Sequence, residues 1–147
     1  MARVLLGLGT NVGARAANLR AALLALREQV LITAVSDVYE SAPFGHLDQP
    51  HFWNLAVSAT SDAAPEKLLH ALQQLETRLG RVPSFRMGPR LMDIDILLFD
   101  DVVMETPVLT IPHPGIVEHN FVLRPLLDLE PELRHPVSLL KLEEHLE

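Results

Sequence analysis

The sequence predicts an α+β fold, a ferredoxin-like sandwich in which an antiparallel sheet carries two main helices on one face. Three observations support this prediction. Apolar, β-rich segments and amphipathic helical segments follow one another in the order β-α-β-β-α-β. The chain has 147 residues, the size of one domain, and 48% of them are hydrophobic, enough for a substantial core. It contains no repeat or linker, so we expect a single domain spanning residues 1–147.

The first half of the chain supplies a strand, a helix and two further strands. Residues 3–9 form an apolar segment that ends in glycines and predict a short buried strand. From 14 to about 29 the leucines recur at helical spacing, which predicts an amphipathic helix. Segments 31–40 and 52–60 are β-rich and predict the second and third strands. The loop between them, 41–50, is marked by prolines and a glycine.

The second half begins with another helix. We expect it to start near Pro65, which suits a first helical turn, and to end at Gly80, which is favoured just beyond a helix. A loop at 81–89 then leads into a fourth strand at 92–99.

The last third of the chain is interrupted by prolines. It predicts a short strand at 109–111 and two short helices, near 120–127 and 139–146. Because both main helices are expected on one face of the sheet, the other face is left open to loops. We expect a functional site on that open face.

Charge is distributed unevenly along the chain. The formal net charge is −7, yet residues 1–90 carry nine Lys or Arg against seven Asp or Glu, and residues 91–147 carry three against twelve. Only two residues are lysine. A protein that tracks a nucleic-acid backbone is normally basic, so a small anionic ligand fits this local cluster of positive charge better.

Composition also excludes several classes of site. The chain has no cysteine, which rules out disulfides and thiolate zinc sites and fits a cytoplasmic protein. No apolar run approaches the length of a membrane span, and the N-terminus lacks the pattern of a signal peptide. We expect a cytoplasmic monomer that binds neither nucleic acid nor a membrane.

Asp93 and Asp95 stand in an otherwise apolar strand segment. Side chains of a strand alternate between faces, so both carboxylates are predicted on one face together with Leu97 and Phe99. Such a pair can hold Mg²⁺, and it is costly without a cation nearby. A bare Asp-x-Asp is more often a solvated strand start. The arginines just ahead of this pair weaken that alternative.

Four arginines lie within thirteen residues ahead of the aspartates: Arg78, Arg81, Arg86 and Arg90. Arginine binds phosphate oxygens through a planar fork, and phosphoryl chemistry depends mainly on positioning and charge stabilisation. The whole stretch therefore predicts a site for a metal-bound polyphosphate. Solvated surface is the usual alternative for any one of these arginines.

The segment from Gly7 to Gly13 is not a phosphate-binding loop. Val12 occupies the place of the third glycine in the dinucleotide fingerprint, and the chain has no Gly-x4-Gly-Lys-Ser/Thr motif. We expect a tight strand-to-helix turn instead.

Several further side chains allow both a structural and a functional interpretation. The aromatic residues Phe44, Phe52, Trp53 and Phe121 are most simply core residues; the alternative is that they stack on a flat heteroaromatic ligand whose polar edge pairs with Asn54. Gln73 and Glu76 are predicted on solvated helix surface. His113, held between two prolines, is either structural or a phosphate ligand. These further candidates, as a set, are Phe44, Phe52, Trp53, Asn54, Phe121, Gln73, Glu76 and His113.

Four segments together resemble one family over nearly the whole chain. They are GLGTNVGARAANLRAAL, SAPFGHLDQPHFWNLAV, LGRVPSFRMGPRLMDIDILLFDD and LTIPHPGIVEHNFVLRPLLDLEPELRHP. They closely resemble the 6-hydroxymethyl-7,8-dihydropterin pyrophosphokinases of folate biosynthesis. The most specific pieces are Gly-Pro-Arg-x2-Asp-x-Asp, Pro-His-Pro and FVLRPL. The resemblance implies transfer of a pyrophosphoryl group from ATP to the pterin hydroxymethyl group, with release of AMP.

The resemblance also implies a role for each matching residue. Asp93 and Asp95 would hold two Mg²⁺ ions. The ATP side would comprise Gln73, Glu76, Arg81, Arg86, Arg90 and His113, with Arg81 and Arg90 among the catalytic residues. The pterin side would comprise Ser41, Pro43, Phe44, Phe52, Asn54 and Phe121. Met87, Pro83 and His119 depart from the family's better-known pattern, and we expect them to affect loop closure and rate.

Two other functions stay open on the residues alone. A metal-dependent phosphohydrolase could use the same aspartates. A non-catalytic nucleotide-binding module could share the fold.

Overall fold

The computed structural model describes residues 1–42, 48–80 and 91–145, the side chain of residue 145 excepted. The strands are β1 (Ala2–Thr10), β2 (Leu31–Val35), β3 (Tyr39–Ser41), β4 (Phe52–Ser61), β5 (Asp93–Phe99), β6 (Met104–Glu105) and β7 (Thr110–Ile111). The α-helices are α1 (Arg15–Leu26), α2 (Pro65–Arg78) and α3 (Asn120–Leu129). Short 3₁₀ helices lie at Pro114–Ile116 and Leu142–His145.

The main sheet is antiparallel, with the strand order β2-β4-β1-β5 and with β3 also paired to β4. Strands β2 and β3 replace the single strand predicted at 31–40. They are separated at Ser36, whose N–H donates to the carbonyl of Ala56 and whose hydroxyl accepts from the N–H of Ala56. If β2 and β3 are counted as one interrupted strand, the sheet has four strands in the order expected for a ferredoxin-like fold. The predicted fold class is therefore confirmed.

Helix α2 starts and ends where its sequence requires. Pro65 occupies the first turn, where its missing N–H costs no helical hydrogen bond. Gly80, just past the end, has φ +101°, a conformation that other residues rarely adopt. Its leucines Leu68, Leu72 and Leu75 are buried against the sheet.

Each face of the sheet buries its own core. Alternate residues of β1, such as Leu6 and Leu8, pack with α1 and α2 on one face. On the other face Leu5 and Leu97 pack with Leu123 and other residues of α3. The second face is therefore partly covered by a helix, whereas the sequence had predicted loops there. Among the described residues, no helix is long and apolar enough to cross a membrane.

The short elements near the end of the chain are found, and one local detail differs from the prediction. The helix predicted near 139–146 is a 3₁₀ helix at Leu142–His145, and the strand predicted at 109–111 is β7, which pairs with β6 in a separate two-stranded sheet. Phe99 lies in the first core, although strict alternation predicted it beside Asp93 and Asp95. The reason is an irregularity: Leu5 pairs with Leu98 and Leu6 with Ile96, so Leu97 is an extra residue that reverses the alternation.

Candidate functional site

A cavity of about 200 Å³ lies between the second face of the sheet and the start of α3. Its floor is formed by β1, β4 and β5, and its lining from α3 includes Phe121, Val122 and Pro125. The floor is open because β1, in the middle of it, contributes Gly7 and Gly9, which have no side chains. The cavity forms because Gly7 and Gly9 leave space beneath the start of α3, while Leu123 and Leu126 of α3 pack on the same face of the sheet.

Six of the residues predicted from sequence line this one cavity: Ser41, Phe52, Asn54, Asp93, Asp95 and Phe121. Two are aromatic and come from opposite layers, Phe52 from β4 and Phe121 from α3. The polar residues converge from separate strands. A mainly apolar cavity with a few convergent polar groups is the usual form of a small-molecule site.

Gly9 permits the position of Asn54, its register partner on β4. A Cβ at residue 9 would lie 2.9 Å from Asn54 Oδ1, closer than side chains tolerate. Asn54 Nδ2 donates to Ser41 Oγ at 2.8 Å, which fixes the amide plane. Gly9 lies within β1, as the strand predicted at 3–9 requires, and β1 extends one residue further, to Thr10, before the predicted turn that leads to α1 at Arg15.

Asp93 and Asp95 project from β5 into the cavity and are both half-buried. Their register partners on β1 are Gly9 and Gly7, so no neighbouring side chain on that strand covers them. Within the described residues there is no group of three or more His, Cys, Asp or Glu side chains suited to a metal. Two carboxylates nevertheless suit Mg²⁺, which usually takes one or two and fills its remaining positions with water and substrate phosphates.

His113 lies beside the aspartates, with Nε2 4.0 Å from Asp95 Oδ2. Its Nδ1 accepts a hydrogen bond from the N–H of Gly115 at 2.9 Å, so the proton of the neutral ring is on Nε2. Burial lowers the pKa of His113, and the negative charges of Asp93 and Glu118 only partly oppose this. His113 therefore presents a neutral N–H donor on the side of the carboxylate pair.

Contacts near the two ends of α3 hold this helix over the sheet. The ring of His119 stacks on that of Phe121, with centroids 4.9 Å apart and planes 11° from parallel. The hydroxyl of Tyr39 on β3 donates to the carboxylate of Asp128 at 2.8 Å. That hydrogen bond raises the pKa of Tyr39, because the carboxylate stabilises the protonated phenol.

Trp53 points away from the cavity, between its neighbours Phe52 and Asn54, which line it. Its indole N–H donates to Glu40 Oε1 at 3.0 Å, and the guanidinium of Arg15 lies 4.7 Å from the ring centroid. The Trp53 hydrogen bond is also the main reason that the pKa of Glu40 is lowered. Trp53 therefore supports β4 from behind and is not a candidate ligand contact.

Glu76 and Gln73, predicted on solvated helix surface, have different environments. Gln73 is exposed, but Glu76 is only 6% exposed, so the prediction for Glu76 was wrong. Its Oε2 accepts from the N–H of Ile94 at 2.8 Å in a buried hydrogen bond. Ile94 lies between the two aspartates on β5, whose only strand neighbour among the described residues is β1. Glu76 thus supplies an acceptor to this edge strand.

We expect Glu76→Leu to lower the free energy of unfolding by about 1–3 kcal/mol, because the buried N–H of Ile94 would lose its acceptor. Glu76→Gln keeps an acceptor oxygen and should lose less. Urea denaturation measures both, with Glu66→Ala, an exposed glutamate on the same helix, as the control. A Glu76→Leu variant as stable as the control would contradict the importance of this bond.

Some predicted residues lie outside the described part of the chain. These are Pro43 and Phe44 of the first loop, and Arg81, Arg86 and Arg90 of the second, together with Pro83 and Met87. Their roles stay predictions. Ala42, the residue before the first of these loops, lines the cavity, and Leu91, the residue after the second, stands two residues before β5, which carries Asp93 and Asp95.

A second, larger cavity of about 510 Å³ lies at the other end of β1. Its charged lining is mixed, with Arg3 and Arg134 against Asp100 and Asp101. Arg3 already pairs with Glu130, and Arg134 donates to the carbonyl of Leu139. Neither the aromatic rings nor the aspartate pair of the first cavity are found there, so we assign the candidate site to the first.

Comparisons with known proteins identify the family of the chain. The model of the family described as 7,8-dihydro-6-hydroxymethylpterin-pyrophosphokinase matches residues 5–131. A 2-amino-4-hydroxy-6-hydroxymethyldihydropteridine pyrophosphokinase of Aquifex aeolicus is 40% identical over 144 residues, covering 98% of this chain and 90% of that protein. The folic acid synthesis protein fol1 of Schizosaccharomyces pombe is 41% identical over 144 residues, 97% of this chain but only 20% of that longer protein.

Solved structures show the same fold at lower identity. The crystal structure of wild-type HPPK-DHPS of Plasmodium falciparum with pteroate matches with a TM-score of 0.78 and 16% identity. The match covers 98% of this chain and 43% of that one. The chain thus spans less than half of the length of that structure, and at this identity the likeness concerns the fold alone.

Proposed function

The chain belongs to the 7,8-dihydro-6-hydroxymethylpterin-pyrophosphokinase family, and we propose the residues by which it carries out the family's reaction. Its activity is the pyrophosphokinase step of folate biosynthesis, as the sequence predicted, and it is a diphosphokinase by class. The proposal concerns the nucleotide, the metal and the role of each residue. The observation that carries it is the cavity that brings two aromatic rings, an amide and two carboxylates together.

The pterin is proposed to occupy the cavity between β4 and α3. Phe52 and Phe121 would contact the faces of its flat double ring, and Asn54 would pair with its polar edge. The hydrogen bond from Asn54 to Ser41 supports this role, because it leaves the orientation of the amide fixed before a ligand binds. Pro43 and Phe44 are proposed to complete this side.

ATP is proposed to bind with its phosphates near Asp93 and Asp95, which would hold Mg²⁺, two ions in our prediction. Bound Mg²⁺ would neutralise the phosphate oxygens and make the β-phosphorus open to attack. His113 would donate its Nε2–H to a phosphate oxygen, and its neutral state supports a donor role without added charge. Gln73 is proposed beside the nucleotide. No side chain of the described residues is assigned as a general base, since orientation of the hydroxyl and charge stabilisation can carry the reaction.

The product distinguishes this proposal from its alternatives. Incubation with ATP and Mg²⁺ should give AMP only when 6-hydroxymethyl-7,8-dihydropterin is added. Release of inorganic phosphate without the pterin would favour a phosphohydrolase. ATP binding without any turnover would favour a nucleotide-binding module.

We expect Arg81→Ala and Arg90→Ala each to lower the rate at least about tenfold, equivalent to about 1.4 kcal/mol. The reason is the loss of a guanidinium fork that stabilises charge on the transferring phosphates. Steady-state AMP formation measures the effect, and Arg20→Ala, an exposed arginine of α1, is the control. Variants as fast as the control would place these arginines outside the reaction.

The proposed partners are ATP and the pterin, with no nucleic acid or membrane involved. We also propose a cytoplasmic monomer. The absence of cysteine supports the cytoplasmic assignment, and the small share of lysine supports the assignment of no nucleic-acid partner.

A further inference from the structure

Two buried polar residues, the last residue of β1 and the one that follows it, have no part in the proposed reaction. Thr10 and Asn11 are both 0% exposed. They belong to the glycine-flanked segment that was predicted from sequence to be a simple turn. Buried polar side chains are normally hydrogen-bonded, and such bonds make the connected segments rigid. The hydrogen-bond partners of Thr10 and Asn11 therefore show which segments these two residues position.

Thr10 is bonded to the segment that leads into β5. Its hydroxyl donates to the carbonyl of Leu91, which stands two residues before Asp93. On its other side Asn18 of α1 donates from Nδ2 to Thr10 Oγ1 at 3.1 Å and to the carbonyl of Val12 at 2.7 Å. One buried hydroxyl thus connects the first helix to the approach to the aspartate pair.

Asn11 is bonded in the same way to the segment that leads into β4. Its Nδ2 donates to Gln49 Oε1 at 2.9 Å and to the carbonyl of Pro50 at 3.0 Å. Pro50 stands two residues before Phe52 and four before Asn54. The spacing matches that on the other side, where Leu91 stands two residues before Asp93 and four before Asp95.

We propose that Thr10 and Asn11 are positioning residues for the two halves of the site. Thr10 places the strand that carries Asp93 and Asp95, and Asn11 places the strand that carries Phe52 and Asn54. Because the two residues are adjacent in the chain, they set the separation between the phosphate side and the pterin side. Transfer between two bound substrates depends steeply on such a separation. This inference rests on the proposed function, which assigns the phosphate side and the pterin side of the site.

A general role in stability would give a different result from a role divided between two sides. If the role were general stability, loss of either residue would weaken the binding of both substrates to the same extent. Divided positioning predicts that each variant affects one substrate only. The test is therefore a comparison of two ligands in two variants, made well below the melting temperature of each variant.

Thr10→Val replaces the hydroxyl by a methyl group of similar size. We expect the Kd of Mg²⁺ with a non-hydrolysable ATP analogue to rise about tenfold, which is about 1.4 kcal/mol, and the Kd of the pterin to stay within about twofold. Thr10→Ser keeps the hydroxyl and should restore the Mg²⁺–nucleotide Kd. Thr60→Val is the matched control, because the buried hydroxyl of Thr60 has no hydrogen-bond partner in the described structure.

Asn11→Asp is nearly isosteric but replaces the donor Nδ2 by an acceptor. It should raise the Kd of the pterin about tenfold, measured with the ATP analogue saturating, and leave the nucleotide Kd within about twofold. Asn11→Ala should behave like Asn11→Asp. Gln29→Ala is the control, because Gln29 is an exposed amide in the turn that follows α1. Isothermal titration calorimetry measures all of these constants without turnover.

The expected result is opposite selectivity in the Thr10→Val and Asn11→Asp variants. If both variants bound both ligands more weakly by a similar factor, or if neither variant bound either ligand more weakly, the positioning roles would be overturned. Failure of Thr10→Ser to restore binding would overturn the role of the hydroxyl. If the wild-type protein binds neither ligand, the proposed function itself fails; if it binds both and the variants do not separate them, only the present inference fails.

Discussion

Asp95→Ala should lower the rate of AMP formation at least about 1,000-fold, about 4 kcal/mol of transition-state stabilisation, while leaving the fold intact. Asp95 points from β5 into the cavity beside a neutral histidine, and its register partner is Gly7. Removing this carboxylate would remove one of the two protein carboxylates proposed to hold Mg²⁺. Steady-state rates over a range of Mg²⁺ concentrations, together with circular dichroism, measure both parts of the prediction.

The control for this variant is Asp101→Ala, which removes an exposed carboxylate from the turn that follows β5. It should keep the wild-type rate. An Asp95→Ala variant within tenfold of wild type would contradict the metal assignment. Asp93→Ala should show a comparable loss, since both carboxylates share one face of the strand.

Gly9→Ala should raise the KM for the pterin about tenfold, or about 1.4 kcal/mol, and leave the KM for ATP unchanged. The added Cβ would lie 2.9 Å from Asn54 Oδ1, so the amide must move away from its position beside Ser41. The effect arises from displacement of Asn54, because the next contact, with Phe52 Cδ1 at 3.7 Å, is an ordinary one. Initial-rate measurements with each substrate varied in turn test this.

A double variant tests that explanation directly. With Asn54→Ala already present, the clash has no partner, and adding Gly9→Ala should change the pterin KM less than about threefold. Such non-additivity is expected for residues in contact. If the two changes were additive, Gly9 would act on the pterin by some route other than Asn54.

Most of the fold was predictable from sequence because its elements have strong periodic patterns. The leucines of α2 recur at helical spacing, and all three of Leu68, Leu72 and Leu75 are buried. The Asp-x-Asp pair was correctly placed on one face of a strand by alternation alone. Alternation failed at Phe99, because an extra residue in β5 is a property of the pairing with β1 and not of the strand's own sequence.

The support of the site was less predictable, because it depends on contacts between distant segments. Glu76 has the spacing of a helix-surface residue, yet it is buried against an edge strand that lies beside α2 only in the folded chain. The sequence places Gly9 in a strand but does not show why a glycine is needed there, because the close approach of Asn54 comes from another strand. A signal was present in Thr10 and Asn11, two polar residues directly after an apolar strand, but their partners lie 81 and 38 residues away.

The most direct test is a crystal structure of the protein with 6-hydroxymethyl-7,8-dihydropterin, a non-hydrolysable ATP analogue and Mg²⁺. We predict the pterin in contact with Phe52 and Phe121, its edge paired with Asn54, and Mg²⁺ bound by Asp93 and Asp95. A pterin bound in the cavity beside Arg3 and Arg134, or Mg²⁺ bound without either aspartate, would contradict the account.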